Sequence, residues 1–213
     1  MPGCCCAKSK SYERFFSARQ ARADARRYRK RGVRGTSRDL VEMAGDVSGV
    51  SVLDVGGGVG AIELELLAAG AERATDVELS GEYEEEARKL LAERGLSARV
   101  ERRVGDFVAE AVEPHDVVVL HRVVCCYPDV GALVGTASQC ARRRLLLTYP
   151  QERWWARVAM GGVNLLMRVR RSEFRAFVHP VERIDAAAAD QGLRLRERRR
   201  GGIFWESAAY ERS

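Results

Sequence analysis

A run of glycines between an apolar segment and a helical pattern constrains the fold more than any other feature. It lies in the stretch VLDVGGGVGAIELELL, residues 52–67. Residues 50–55 predict a buried strand and residues 60–69 predict a helix. In open α/β sheets such a turn lies at the carboxyl end of a strand, where ligands bind beside the following helix N-terminus. The stretch therefore predicts a ligand-binding strand–turn–helix unit.

Strand and helix patterns continue to alternate after this unit. Further strands are predicted at residues 73–77, 99–103, 116–120 and 145–148, and helices at 80–94 and 129–141, with Ser80 and Asp129 as N-caps. The runs DVVVL and LLLT are continuously apolar, which is typical of parallel strands covered on both faces. Strands at 193–199 and 203–210, joined by Gly201 and Gly202, indicate a terminal hairpin. The predicted fold is an α/β, Rossmann-like, doubly wound sheet of seven strands, mostly parallel, with a C-terminal antiparallel hairpin.

The remaining segments are interpreted as additions to one domain spanning residues 11–213. Residues 1–10 are expected to form a flexible tail. Residues 11–46 are expected to form an N-terminal helical lid, with helices at 11–31 and from Thr36 or Ser37 to 44. Residues 151–180 predict a helical insertion after strand five on the substrate side, with a kink at Gly161 and Gly162.

Composition excludes several classes of protein. No apolar run approaches the roughly 20 residues of a membrane span, and the first residues lack an apolar signal region, so a cytoplasmic protein is expected. The formal charge is +6, but the arginines are scattered among 30 acids, so nucleic acid is not expected as a partner. The six cysteines show no metal-ligand spacing, so reduced thiols and no metal site are expected; they are Cys4, Cys5, Cys6, Cys125, Cys126 and Cys140.

The glycine turn itself limits the choice of ligand. A nucleoside triphosphatase needs Gly-Lys-Ser/Thr, whereas Gly60 is followed by Ala61. A dinucleotide stays open, because the turn satisfies G-x-G-x-x-A and Glu78 lies twenty residues beyond Gly58. Asp54 weighs against it, since a carboxylate two residues before the first glycine would face the pyrophosphate. The same carboxylate favours a cationic ligand.

Three motifs together resemble the class I S-adenosylmethionine-dependent methyltransferases. The first, acidic-x-Gly-x-Gly-x-Gly, is matched by DVGGGVG; the second is an acid ending strand two, matched in TDVELS; the third is Gly-Asp after strand three, matched in VGDF. The resemblance implies S-adenosylmethionine as cofactor. The cofactor-binding residues it implies are Asp54, Gly56, Gly58, Gly60, Glu78, Leu79, Asp106, Phe107 and His121.

Within that class, the pieces RYRKRG, CCYP and SEFRAFVHP are similar to the magnesium-protoporphyrin O-methyltransferase group and its bacterial relatives. Members place His before Tyr-Pro at the end of strand four, where this chain has Cys126. The resemblance makes Tyr28 a catalytic candidate. His121, at the end of strand four, and His179, beside the insertion, are the other catalytic candidates, because an imidazole there can accept a proton.

These observations favour a small-molecule methyltransferase that methylates oxygen. The acceptor is expected to be anionic, held by arginines such as Arg122, or planar, packed on Trp154, Trp155 or Phe174. A carboxylate acceptor would need no base. The alternatives are an RNA methyltransferase, an NAD-dependent oxidoreductase and a non-catalytic partner protein. The RNA alternative lacks the Asn/Asp-Pro-Pro-Tyr/Phe motif after strand four.

Overall fold

The computed structural model describes residues 15–212. The predicted tail, with its three cysteines, lies outside the described residues. The described strands form one seven-stranded sheet in the order β3-β2-β1-β4-β5-β7-β6. They are β1 (Ser51–Val55), β2 (Arg73–Glu78), β3 (Val100–Val104), β4 (His115–Leu120), β5 (Ala141–Pro150), β6 (Leu193–Gly201) and β7 (Trp205–Arg212). Only β7 runs against its neighbours, so the predicted fold class is confirmed.

Helices cover both faces of the sheet. They are α1 (Ala18–Arg31), α2 (Thr36–Ala44), α3 (Ala61–Ala68), α4 (Glu84–Glu93), α5 (Val130–Cys140), α6 (Trp154–Val169) and α7 (Val181–Ala189). One face packs on α2 and α3, through residues such as Leu40 and Leu66. The opposite face packs on α5 and α7, through residues such as Leu133 and Ile184. No helix in the described part of the chain is long and apolar enough to cross a membrane.

The central strands are buried along their whole length, as their apolar runs predict. Every residue of β1 is buried, and its neighbours β2 and β4 are buried at all but one position each. Helix α1 packs on α3 and α4, where Ala21, Ala25 and Tyr28 meet Leu64 and Leu90. This arrangement holds α1 over the carboxyl ends of the strands.

Several predicted boundaries were wrong. Strand β5 has ten residues rather than four, because it already pairs with β4 from Ala141 and its pairing with β7 continues to Pro150. The predicted helix at 80–94 starts with a separate 3₁₀ turn, Gly81–Tyr83, and the Ser80 hydroxyl donates to the Phe16 carbonyl instead of capping it.

Two further differences concern glycines. Helix α6 runs without interruption through the glycine pair at residues 161 and 162, where the sequence predicted a kink. In the hairpin, Gly201 pairs with Trp205, so the connection has three residues, 202–204, rather than two glycines.

Candidate active site

A cavity of about 770 Å³ opens at the carboxyl ends of the central strands. Its walls are formed by α1, the segment between α1 and α2, the glycine turn after β1, and the ends of β2, β3 and β4. All the cofactor-binding residues expected from the sequence, apart from Gly60, line it. The cavity therefore lies where an α/β sheet of this type binds its ligand.

The glycine turn brings backbone to the edge of the cavity. The Gly56 amide donates to the Val77 carbonyl at 2.8 Å, and Gly58 has a φ of 62°, which favours glycine. A Cβ at Gly57 would overlap the carboxylates of Asp54 and Asp76. Any side chain at position 57 is therefore excluded by these two carboxylates, although motif spacing did not single out Gly57.

Glu78 is fixed against this turn by two backbone amides. Its Oε2 accepts from the Gly58 amide and its Oε1 from the Ser80 amide, both at 2.9 Å. Burial raises the pKa of Glu78, and the two backbone hydrogen bonds oppose that rise. Each carboxylate oxygen keeps a second lone pair for a ligand hydroxyl.

A row of charged side chains lies beneath the turn. Asp54 on β1 pairs in register with Asp76 on β2, which pairs in register with Arg102 on β3. Glu63 reaches them from α3, and carboxylate oxygens of the three acids lie within 4.8 Å of one another. The Arg102 guanidinium lies 3.1 Å from Asp76 and 3.3 Å from Glu63, and donates to the Gly58 carbonyl at 2.9 Å. The row thus joins the turn to three strands.

Burial dominates the protonation of these acids. It raises the pKa of Asp54 to about 7 and that of Glu63 to about 8, while the Arg102 charge acts in the opposite direction. Asp54 Oδ1 has no hydrogen-bond partner among the described residues. Sequence reasoning missed Glu63, Asp76 and Arg102. The signal in the sequence was an acid inside an apolar strand pattern, TDV, and another inside the helical pattern IELELL.

Asp106 and Phe107 form the wall that follows β3. Asp106 Oδ1 accepts from the Val108 amide at 3.1 Å, and the Tyr127 hydroxyl lies 3.5 Å from the same oxygen. Phe107 is buried and packs into the core around Leu53 and Leu120. This wall therefore combines a fixed carboxylate with an aromatic surface.

The end of β4 supplies His121 and Arg122. The Thr36 hydroxyl and His121 Nε2 form a 3.0 Å hydrogen bond, and burial together with the Arg122 charge lowers the pKa of His121 to about 3. Arg122 has a φ of 60°, its amide donates to Thr148 Oγ1 at 2.7 Å, and its guanidinium lies 4.8 Å from the centre of the Trp205 ring. The imidazole is therefore neutral at physiological pH, and the guanidinium is turned toward Trp205.

Comparison with known proteins agrees with this geometry. Residues 53–144 match the methyltransferase domain family. Magnesium protoporphyrin IX methyltransferase from Synechocystis PCC 6803, solved with bound S-adenosylhomocysteine, is 21% identical, with a TM-score of 0.66, covering 84% of this chain and 82% of that one. Residues 53–144 therefore form a methyltransferase domain, and the described residues have the fold of the class I S-adenosylmethionine-dependent methyltransferases. No curated protein sequence matches it.

Two other methyltransferase structures share the fold. An O-methyltransferase family 2 protein from Planctomyces limnophilus in complex with apigenin is 18% identical, with a TM-score of 0.68, covering 91% of this chain and 62% of that one. Geranyl diphosphate C-methyltransferase from Streptomyces coelicolor A3(2) is 13% identical, with a TM-score of 0.67, covering 83% and 77%. At these identities the likeness concerns the fold.

The residues of the methyltransferase cavity fit S-adenosylmethionine better than a dinucleotide. Glu78 already accepts the Gly58 amide, which a dinucleotide would need for its pyrophosphate. Asp54 lines the cavity together with Glu78, and a second carboxylate there suits a cationic sulfonium and disfavours phosphate. These contacts, together with the family match, argue against the oxidoreductase alternative.

Two of the three catalytic candidates are placed unfavourably for proton transfer in this methyltransferase. The Tyr28 ring lines the cavity, but its hydroxyl donates to Glu65 at 2.7 Å and accepts from Arg94 at 3.1 Å, and burial raises its pKa. His179 is not in the cavity wall. Its Nε2 lies 2.9 Å from the Tyr127 carbonyl and its ring stacks on Phe177, so it supports the loop after β4.

The residues expected to bind a planar acceptor also lie elsewhere. Trp154 is 76% exposed, Trp155 packs on Phe204, and Phe174 is buried against Phe15. Aromatic surface in the cavity comes instead from Phe15, Phe16, Tyr28, Tyr83, Phe107 and Tyr127. Periodicity could not show this, because Trp154 faces outward and Trp155 packs against the β6–β7 connection, and neither lines the cavity.

Proposed function

We propose that this methyltransferase transfers a methyl group to a carboxylate oxygen of a small, anionic acceptor with a flat apolar body. The proposal is supported by the wall between α1 and the end of β4, which offers exposed arginines but, among its candidate bases, no side chain that is well suited to accept a proton. His121 has a pKa of about 3, and the Tyr28 hydroxyl is held by Glu65 and Arg94. A phenol or alcohol acceptor would need a base there, whereas a carboxylate does not.

The charges on this wall favour an anionic acceptor. Four arginines line the cavity: Arg27, Arg31, Arg34 and Arg122. Arg27 pairs at 3.1 Å with Asp24, whose carboxylate also accepts from Gln20. The other three arginines are exposed and form no ion pair within residues 15–212. They can therefore bind carboxylate oxygens in a bidentate manner, and the aromatic rings of the same cavity would hold the apolar body of the acceptor.

The proposed reaction needs positioning rather than proton transfer. S-adenosylmethionine supplies a methyl group on a sulfonium sulfur. Transfer of that methyl group to the acceptor oxygen would leave the carbon–sulfur electron pair on sulfur, and the products would be a methyl ester and S-adenosylhomocysteine. The task of Arg122 and its neighbours is to hold the carboxylate in line with that bond at about 3 Å.

The structural relatives are consistent with a small-molecule acceptor. One was solved with apigenin and another with geranyl diphosphate, one planar and the other an anion with an apolar chain. The thiols of Cys125 and Cys140 are not in disulfides within the described part of the chain, which is compatible with the cytoplasmic location that we propose. The lid role of residues 11–46 stays a prediction, which truncation of α1 would test.

The first test separates the donor site from any particular acceptor. Calorimetric titration is expected to show binding of S-adenosylhomocysteine but not of NADH. Glu78→Ala should weaken that binding by about 10- to 100-fold, because it removes a carboxylate that contacts the turn and faces the cavity. Glu85→Ala is the matched control, since Glu85 is an exposed acid paired with Lys89. Tight NADH binding, or equal affinity in Glu78→Ala, would contradict the donor site.

The second test concerns the acceptor. With the donor saturating, aromatic and aliphatic carboxylates are expected to be methylated with a kcat that is flat from about pH 6 to 9, because their carboxylates are already ionised. Arg122→Gln should raise KM about tenfold with little change in kcat. A rate that rises with pH, on phenols alone, would replace the carboxylate with a hydroxyl acceptor. Salt-sensitive RNA binding would favour the RNA alternative.

A further inference from the structure

Helix α6 presents an unusual surface for a helix of a globular protein. Of its sixteen residues only Ala156 and Met167 are buried. The inner side is held by Met167 and by Asn164, whose side chain donates to the Ala176 carbonyl and accepts from its amide, at 2.8 and 2.7 Å. The outer side is left uncovered by the described residues.

The outer side carries an apolar stripe. Its residues follow the spacing of one helical face, and their exposed fractions are high: Trp154 76%, Val158 66%, Leu165 63%, Leu166 46% and Val169 73%. Ile203, 82% exposed, lies in the β6–β7 turn beside Phe204, whose ring packs on Trp155. Exposed apolar side chains of this size, grouped on one face, mark an interaction surface.

The charges within this segment are all positive. Residues 153–171 contain five arginines and no acid. Arg157 pairs with Glu152 at 2.5 Å, whereas the other four arginines are exposed and make no ion pair among the described residues. On the helix, Arg168 is three residues beyond Leu165, so a cation borders the stripe directly.

We propose that this face of α6 docks on an anionic lipid surface. An amphipathic helix with tryptophan and leucine on one side and arginine beside them matches an interfacial helix, in which the apolar side chains enter the lipid and the cations meet the headgroups. A second copy of the chain fits less well. Because the segment carries no acid, pairing this face with itself brings arginines against arginines.

The surface is connected to the cavity through one layer of side chains. Met160 and Val163 on the inner side of α6 pack in a cluster with Phe174, and Phe15 and Phe16 contact Phe174 with ring centres 4.1 and 5.9 Å apart. Phe15 and Phe16 line the cavity. Docking at α6 would therefore place the cavity wall near the lipid, but the docking itself does not depend on the proposed acceptor.

Vesicle flotation with the full chain tests the proposal. The protein is expected to float with vesicles of phosphatidylglycerol and phosphatidylcholine in equal parts, and to do so about tenfold less with phosphatidylcholine alone. Trp154→Ser combined with Leu165→Ser should weaken binding by about tenfold or more, because two anchors leave the lipid. Arg168→Gln should weaken it about fivefold.

The matched control is Leu195→Ser, which changes an exposed leucine on the edge strand β6. It should bind vesicles like the unaltered chain, and all variants should bind S-adenosylhomocysteine equally, which shows that they are folded. Equal flotation of the stripe variant and the control would overturn the proposal. So would a lack of flotation accompanied, in sedimentation, by a dimer that the stripe variant loses, since a second copy would then be the occupant.

Discussion

The two ends of the cavity hold their charged groups in opposite ways. At the donor end, Asp54, Asp76 and Arg102 are buried, aligned across three strands and tied to the glycine turn. At the acceptor end, Arg31 and Arg34 are exposed and have no ion pair among the described residues. The first set is locked in place by the fold, and the second is free to adjust to a ligand.

This difference follows from what each end must do. A donor site that always receives the same molecule binds it more tightly when its side chains are already held in place, because fewer of them lose conformational freedom on binding. An acceptor site on helix ends and loops can change its residues without disturbing the sheet. From this contrast we expect substitutions of the buried charges to have the largest effects on stability.

Arg102→Met should produce the largest effect. It removes the guanidinium that lies between Glu63, Asp76 and Glu84, and so leaves buried carboxylates without a counter-charge. The expected loss is about 3–5 kcal/mol of unfolding free energy at pH 8, measured by urea denaturation. At pH 5 the loss should be smaller, because the acids can take up protons.

Arg103→Met is the control for that substitution. Arg103 is the next residue of β3 but is less buried and pairs with the exposed Glu101 at 2.8 Å. Its loss should change the unfolding free energy by less than about 1 kcal/mol. Equal losses of unfolding free energy for the two substitutions would mean that the buried row of charges stabilises the donor end no more than an exposed ion pair does.

The pH dependence of stability should be the next largest effect. Native pKa values of about 7 for Asp54 and 8 for Glu63 lie above the ordinary values of 3.8 and 4.5, so the native state binds these protons more tightly than the unfolded state. The unfolding free energy should therefore fall as pH rises from about 5 to 8, by up to about 1.4 kcal/mol per pH unit for each proton involved. Denaturation series at several pH values in that range measure this slope.

Asp54→Asn should flatten that slope, because one of the buried titrating groups is gone. Asp46→Asn is the matched control. Asp46 is exposed and hydrogen bonds from Ser48 lower its pKa, so it is ionised throughout this range and its removal should leave the slope unchanged. If Asp54→Asn leaves the slope unchanged, groups other than Asp54 cause the pH dependence of stability.

Sequence reasoning succeeded where local pattern and global fold agree. The DVVVL run and the glycine turn predicted β4 and the turn after β1, because buried parallel strands need continuous apolar residues and the turn needs backbone freedom. It also singled out Glu78, which the cavity contains. Asp76 and Arg102 were missed, since their relation is one of register between two strands, and no local pattern records register.

The acceptor end was harder to predict for a related reason. Tyr28 was chosen from the resemblance and His179 from its residue type and position, but the hydroxyl of Tyr28 turns to Glu65 and the imidazole of His179 to the Tyr127 carbonyl. The tryptophans were chosen for their chemistry, yet Trp154 faces outward on α6. Direction of a side chain depends on tertiary packing, which spacing along the chain does not specify.

The smallest effect concerns a hydrogen bond at the acceptor end. Thr36→Val removes the hydroxyl that meets His121 Nε2 at 3.0 Å and keeps the shape of a side chain that is 2% exposed. The expected loss of unfolding free energy is about 1 kcal/mol, measured by urea denaturation. Ser37→Ala is the control, because the Ser37 hydroxyl bonds the local backbone of Arg34 instead.

The same pair of variants tests whether the hydrogen bond between Thr36 and His121 takes part in catalysis. Since the imidazole of His121 is neutral and no proton needs to leave a carboxylate acceptor, kcat and its pH profile in Thr36→Val should stay within about threefold of the original. A loss of about 100-fold in kcat for Thr36→Val, with Ser37→Ala unaffected, would instead make Thr36 and His121 a proton relay. The acceptor end would then be as rigidly organised for chemistry as the donor end, and a hydroxyl would replace the carboxylate as the group that receives the methyl.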